Sequence, residues 1–179
     1  MSVDDICTRA GAKKGSFYHF FPSKADLAIA ALDEHWKVGC QKFDSAFSPD
    51  LDPRERFLRY CDLVYEKQAD KFKEFGKVCG CAFASLGSEQ STQDERLRRK
   101  TEEIFECGIR YLETAVRDAI AIGQISGGDP AAKAREVFSY VMGVMVSAKV
   151  LNDLEVIRRD LRPGVFRIIG MELPVEEHA

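Results

Sequence analysis

An all-α fold is predicted by three features of this sequence. Apolar residues recur at helical spacing through nearly its whole length. Breaks marked by glycine or proline separate the periodic runs, and serine or aspartate caps stand at the start of most of them. The order read from them is a helix-turn-helix with a linker helix over 1–45, followed by a larger helical domain over 46–179.

Ser2 with Asp5 three positions on forms a capping box, so a helix opens near Val3 and carries an apolar face of Val3, Ile6, Cys7 and Ala10. Gly11 stops it, because glycine tolerates the left-handed conformation that ends helices. A second helix runs from about Lys14 to Phe20. Phe17, Phe20 and Phe21 are expected on its buried side, with Lys14, Gly15, Tyr18 and His19 opposite. Pro22 ends it and biases Phe21 away from the helical region. Ser23 with Asp26 is a second capping box, opening a long helix from Lys24 towards Phe47.

Ser48-Pro49-Asp50 breaks that helix. Asp52 then caps the next one, with Pro53 at its first position. Its apolar face holds Phe57, Cys61, Val64, Tyr65, Phe72 and Phe75. Gly76 and Gly80 punctuate, and a short helix is expected from Ala82 to Gln90. A long amphipathic helix follows over Thr92 to Gly123, then Gly127-Gly128 as a loop, then Asp129 and Pro130 as the next cap.

The helix from Pro130 to Asn152 is apolar around much of its circumference, so it needs cover on more than one side. A second copy of the chain is the expected cover, with cover within one subunit as the alternative. The dimer interface is expected from Val137, Val141, Val144, Ala148 and Leu151, with Val165 and Ile168 from the last segment. That segment, Leu154 to Met171, should kink or split at Pro163-Gly164. Its run Val165 to Ile169 is short enough to read as a strand as well.

Composition bounds the function. The chain has 179 residues, is 45% hydrophobic and carries a net charge of -3. That suits a globular protein with a real core rather than a disordered one. The first 24 residues hold Arg9, Lys13, Lys14 and Lys24 against Asp4 and Asp5, which leaves -5 on the remaining 155. A basic head on an acidic body suits a protein that binds nucleic acid at one end. The longest apolar stretch, Val137 to Leu151, is interrupted by Ser139, Ser147 and Lys149 and is too short for a bilayer. No apolar leader opens the chain, so a soluble cytoplasmic protein without a membrane partner is expected. Six cysteines show no zinc spacing, and no metal or cofactor is expected. The three histidines, His19, His35 and His178, lie far apart in sequence. No nucleophile–base pair, HExxH or phosphate-cradling loop is present, so no catalytic residue is assigned and an enzyme is not expected.

The exposed face of the second helix suits DNA. Lys13, Lys14 and Lys24 can neutralise phosphates, and Ser16 and Tyr18 can donate hydrogen bonds to them. Gly15 lets backbone come close, and His19 can reach a base edge or a phosphate. The string SVDDICTRAGAKKGSFYHFFPSKADL resembles the helix-turn-helix of the TetR family of bacterial transcriptional regulators. Ala10-Gly11, Lys14-Gly15, Tyr18, Phe21, Ser23-Lys24 and Leu27 all fall in register with the family pattern. In that pattern a further helix of some twenty residues precedes this segment and packs on it. Here the match begins at the second helix, so Ile6, Phe17, Phe20 and Phe21 are expected to be thinly covered.

The resemblance implies a homodimer that binds a double-stranded DNA operator through the small domain and a small-molecule effector through the larger one. It also implies an intersubunit four-helix bundle from the last two helices of each subunit. It implies DNA contacts at Lys14, Ser16, Tyr18, His19 and Lys24, and a regulator, chiefly a repressor, released by its effector. The stretch GKVCGCAFASLGSEQS loosely resembles one found in the ligand domain of a TetR subgroup. Pocket walls between helices are aromatic and aliphatic with a few polar anchors. The candidates are Phe57, Tyr60, Phe83, Phe105, Tyr111 and Tyr140, with Ser85 or Glu89 as anchors. Cys79 and Cys81 are candidate sensor thiols, which would need exposure and a lowered pKa. The alternative function is therefore a dimeric small-molecule or thiol-based electrophile sensor with weak or lost DNA binding.

Overall fold

The computed structural model describes residues 2–90 and 92–174; Met1, Ser91 and residues 175–179, His178 among them, lie outside the described residues. Among the described residues there are eight α-helices and no strand: α1 Val3–Ala10, α2 Lys14–Phe20, α3 Lys24–Ala46, α4 Pro53–Phe75, α5 Ala82–Gln90, α6 Glu95–Ala121, α7 Pro130–Leu151 and α8 Glu155–Ile169.

The caps behave as local chemistry requires. Ser2 and Asp5 exchange their hydrogen bonds at 2.7 and 3.1 Å, and Gly11 closes α1 at φ +62°. Asp52 and Asp129 each accept the N–H two residues on at 2.9 Å, ahead of Pro53 and Pro130. The sixth helix starts at Glu95 rather than Thr92. The Asp94 carboxylate caps it by accepting from the Arg96 and Leu97 N–H groups.

The main core lies where α4, α6, α7 and α8 meet. Phe57, Leu112, Val116, Val137, Val141, Val165 and Ile169 are fully buried there. Arg56 is buried beside it. Its guanidinium donates to the carbonyls of Pro49 and Leu51 at 3.1 and 3.0 Å and to Asp118, so it ties the α3–α4 loop to α6. A smaller cluster of Leu32, Phe83, Leu97 and Ile104 joins α3 to α5 and α6. Ion pairs Arg96–Asp26 at 2.7 Å and Lys100–Asp33 at 3.2 Å run along the same seam.

Two expectations for the C-terminal half are corrected. Pro163 lies inside α8, which continues through it as a helix, and the run Val165 to Ile169 is helical rather than extended. Val165, Phe166 and Ile169 all belong to the main core, a one-sided burial that helical spacing provides. Proline removes the donor for the Arg159 carbonyl, and in the same turn the Tyr140 hydroxyl donates to the Asp160 carbonyl at 2.7 Å. The expected dimer row also needs correction. Val137, Val141, Ala148 and Val165 have no exposed surface in the single chain, and Val144 keeps only 8%. They are covered by the subunit's own helices and cannot present a face to a second copy. Of that set only Leu151 is exposed, with Ile168 half-buried.

Candidate functional site

The structure holds two separate candidate sites. The first is the helical hairpin of α1 and α2. Gly11 turns the chain, and the Ala12 N–H donates to the Cys7 carbonyl at 2.9 Å. Phe17 and Cys7 are buried, at 7% and 6% exposure, and fix α2 on α1. The remaining face of α2 is open. Lys13 stands at its N-cap, and Lys14, Gly15, Ser16, Tyr18 and His19 are all exposed, as is Lys24 at the start of α3. The structure thus brings every residue of the DNA-contact set to the surface of one small unit. A Cβ at Gly15 would meet no atom within 4 Å, so the backbone there is accessible.

One contact within this unit was not legible in the sequence. Lys14 Nζ lies 2.9 Å from the Asp4 carboxylate, and this partner holds the ammonium's pKa above its usual value. Phe20 is 70% exposed, in line with the thin cover expected for it and against its expected place on the buried side, while Phe17 is buried.

The second site is a cavity of about 160 Å³ enclosed by α3, α4, α5, α6 and α7. Its walls include Trp36, Phe43, Tyr60, Phe83, Phe105 and Phe138, with Met142 and Met145 from α7. Tyr60, Phe83 and Phe105 are thus among the residues that line this cavity. Phe57 does not; it is core. Tyr111 lines a second pocket and bonds Asp44, Tyr140 is committed to the Asp160 carbonyl, Ser85 bonds Lys149 at 2.9 Å and Glu89 is exposed. None of these five is a wall of the cavity.

The polar groups that do line it are His35, Lys67, Gln68 and Lys71. They lie on the half-buried sides of α3 and α4, where periodicity marks a boundary but cannot say what faces it. Gln68 is 3% exposed, and both its amide atoms bond Gly80, at 2.8 Å from the Gly80 N–H and 3.1 Å to its carbonyl. Gly80 adopts φ +68°, a left-handed conformation that glycine takes without cost. This double bond holds the segment between α4 and α5 against the cavity. Lys67 Nζ approaches His35 Nε2 at 3.2 Å. Burial holds both groups below their ordinary pKa values, and for His35 the neighbouring Lys67 and Lys71 charges add to the effect.

Cys79 and Cys81 both line the cavity. The Cys81 sulfur accepts the Ala84 N–H at 3.4 Å at the start of α5, yet burial dominates and pushes its thiol up. That is the opposite of the lowered pKa a thiolate sensor needs. Among the described residues no group of three His, Cys, Asp or Glu side chains could hold a metal, and no helix is long and apolar enough to cross a membrane.

Known proteins resemble both parts of the chain. Residues 1–31 match the family model of bacterial regulatory proteins of the tetR family, and residues 47–162 match the Tetracyclin repressor-like C-terminal domain. The HTH-type transcriptional repressor NemR of Escherichia coli (strain K12) is 25% identical over 161 residues, covering 87% of this chain and 77% of NemR. The transcriptional regulator AcuR of Cereibacter sphaeroides is 29% identical over 152 residues, covering 84% and 68%. The solved structure of regulatory protein TetR from Rhodobacter sphaeroides superposes with a TM-score of 0.78 at 26% identity, over 95% of this chain and 86% of that one. With a model matched across most of its length, a second across its helix-turn-helix, and these relatives, the chain belongs to the TetR family of bacterial regulators.

Proposed function

We propose that this protein is a DNA-binding transcriptional repressor that a small-molecule effector releases from its operator. The observation that carries the proposal is the position of α3. Its first turn, capped by Ser23, carries Lys24 beside the DNA-contact surface. Its middle supplies His35, Trp36 and Phe43 to the cavity. A ligand that displaces those side chains acts on the same rigid helix that orients the head. Effector and operator then oppose each other through one shared equilibrium. Lys13, Lys14, Ser16, Tyr18, His19 and Lys24 are the proposed operator contacts, with Gly15 allowing close approach. Such a regulator works on DNA in the cytoplasm.

Two heads are needed to read two half-sites about one helical turn (~34 Å) apart. The surface proposed for pairing is the outward face of α7. Val146, Val150 and Leu151 are 54%, 78% and 67% exposed there. Ser139, Gly143 and Ser147 lie exposed along the same helix, where small residues let a second helix approach closely. The buried valines support this face from within.

The test is operator binding across a salt series, with and without candidate effectors. Tyr18→Ala and Lys24→Ala should each weaken binding while the dimer persists, and Lys24→Ala should lower the salt slope by about one. Unchanged affinity in both variants at moderate salt would overturn the assignment. A second reading is thiol-based sensing, favoured by one observation: both Cys79 and Cys81 face the cavity. It requires that alkylating these thiols release DNA, and release persisting in the Cys79→Ser, Cys81→Ser double variant would refute it.

A further inference from the structure

The cavity has a charge asymmetry that its apolar walls make costly. Lys67, Lys71 and His35 line it, and among the described residues no aspartate or glutamate does. This is a chain with 29 acidic residues against 26 basic ones. Lys71 has Glu74 at 3.7 Å. Lys67 forms no ion pair among the described residues, and its hydrogen-bond partner is the imidazole of His35. An ammonium carries three N–H donors, so that contact leaves two unspent. Half-buried cations without a counter-charge are unfavourable, and an anionic ligand would relieve that cost. Gln68, the adjacent polar group, is committed to Gly80 at both ends and offers the ligand little.

The rest of the wall is shaped for a ring. His35 and Phe83 have centroids 5.1 Å apart, Trp36 and Phe83 6.0 Å, and Phe105 and Phe138 5.0 Å, all tilted or edge-on. These pairs are in the tilted and edge-on contact that aromatic rings prefer, so the cavity wall is rich in aromatic surface against which a ligand ring can pack. The volume of about 160 Å³ is close to that of an apolar cavity (~150 Å³) that takes one benzene.

We propose that the effector is a small aromatic monocarboxylate. Its carboxylate sits on Lys67 Nζ, which His35 positions, and its ring lies among Trp36, Phe83, Phe105 and Phe138. A single uncompensated cation calls for a monoanion. The inference rests on the cavity being the effector site of the repressor proposed above.

Trp36 is the only tryptophan in the chain and is a wall of the cavity, so its fluorescence reports occupancy directly. The full chain is titrated with benzoate, phenylacetate, neutral benzamide and cationic benzylamine, without DNA. Saturable change with the two carboxylates, at least about tenfold tighter than with benzamide and absent with benzylamine, is the expected result. Lys67→Met should erase that preference while benzamide still binds, and Lys67→Arg should keep it. Equal affinity for charged and neutral rings, no saturable response to either carboxylate, or an unaltered preference in Lys67→Met overturns the proposal. If the Lys67→Met chain does not fold, the wild-type selectivity and Lys67→Arg still decide. Operator binding is measured separately on the same protein. Carboxylate binding without effect on DNA sinks the repressor reading and leaves the ligand assignment standing. Normal operator binding with no carboxylate preference does the reverse.

Discussion

Lys67 and His35 meet Nζ to Nε2 at 3.2 Å across a separation of 32 residues, one from α4 and one from α3. The contact lies in the cavity wall and joins α3 to α4. Among the described residues neither side chain forms an ion pair with a carboxylate, so the pair is sensitive to a charge that enters the cavity.

The first prediction concerns pH. Burial holds Lys67 below the ordinary lysine value of 10.5, and His35 below 6.5. The groups that act on them are Lys71 and the Cys81 thiol, with Lys42 on the Lys67 side. A bound carboxylate favours charged Lys67 and raises its pKa. The added affinity is therefore complete below the free protein's Lys67 value and is lost as pH rises through the value in the complex. Protonating His35 at the acid end adds a second positive charge, so the trend keeps one sign. Benzoate affinity should fall steadily from mildly acid to alkaline solution, while benzamide affinity stays flat. Trp36 fluorescence titrations at each pH check it.

Gln68→Met removes both hydrogen bonds to Gly80 while keeping side-chain volume. Leaving the Gly80 N–H and carbonyl without these partners should cost about 1–3 kcal/mol. Urea unfolding measures that, and the segment between Gly76 and Cys81 should become more open to proteolysis than the helices around it.

The two glycines of the C-terminal helices should respond oppositely to alanine. A Cβ at Gly164 would lie 2.0 Å from the Tyr140 ring, so Gly164→Ala should destabilise by about 1–3 kcal/mol through overpacking. A Cβ at Gly143 meets nothing within 4 Å in the single chain. Gly143→Ala should leave the subunit's melting unharmed yet weaken dimerisation, which sedimentation at several concentrations would reveal.

The pairing face proposed for α7 is open to test. Val146→Glu combined with Val150→Glu should give folded monomers, because both side chains are exposed on the subunit. Val141→Ala should instead lower stability by leaving a void in the core and leave the surface that pairs unchanged. A stable dimer with both glutamates in place would move the interface elsewhere.

In the head, Asp4 holds Lys14, a proposed phosphate contact, in an ion pair. Asp4→Asn releases that lysine and also removes a negative charge near the DNA surface. Operator affinity should rise a few-fold at low salt and the gain should shrink as salt increases. A loss of affinity would mean that the Lys14–Asp4 pair positions α2 rather than masking it.

The sequence by itself determined the helices and where most of them begin and end. Caps and breakers act over three or four residues, so Ser2, Ser23, Asp52 and Asp129, Gly11 and Gly76 speak without knowledge of the fold. The exposed face of α2 was legible for the same reason: Lys14 and Tyr18 are four apart on one short helix, and Phe17 on the other side has α1 beside it. Tertiary structure decided everything that depends on which apolar side meets which partner. Periodicity marked Val137, Val141 and Val165 as apolar but could not say whether their own subunit or another copy covers them, and α8 packing on α7 settled it within the subunit. It overrode the helix-breaking tendency of Pro163, because burying Val165, Phe166 and Ile169 together on the core outweighs one missing hydrogen bond. It also assembled the cavity, since Lys67, His35 and Gln68 acquire meaning only when α3 and α4 lie side by side. Local rules reach one turn of helix, and a binding site is made by contacts between turns far apart in the chain.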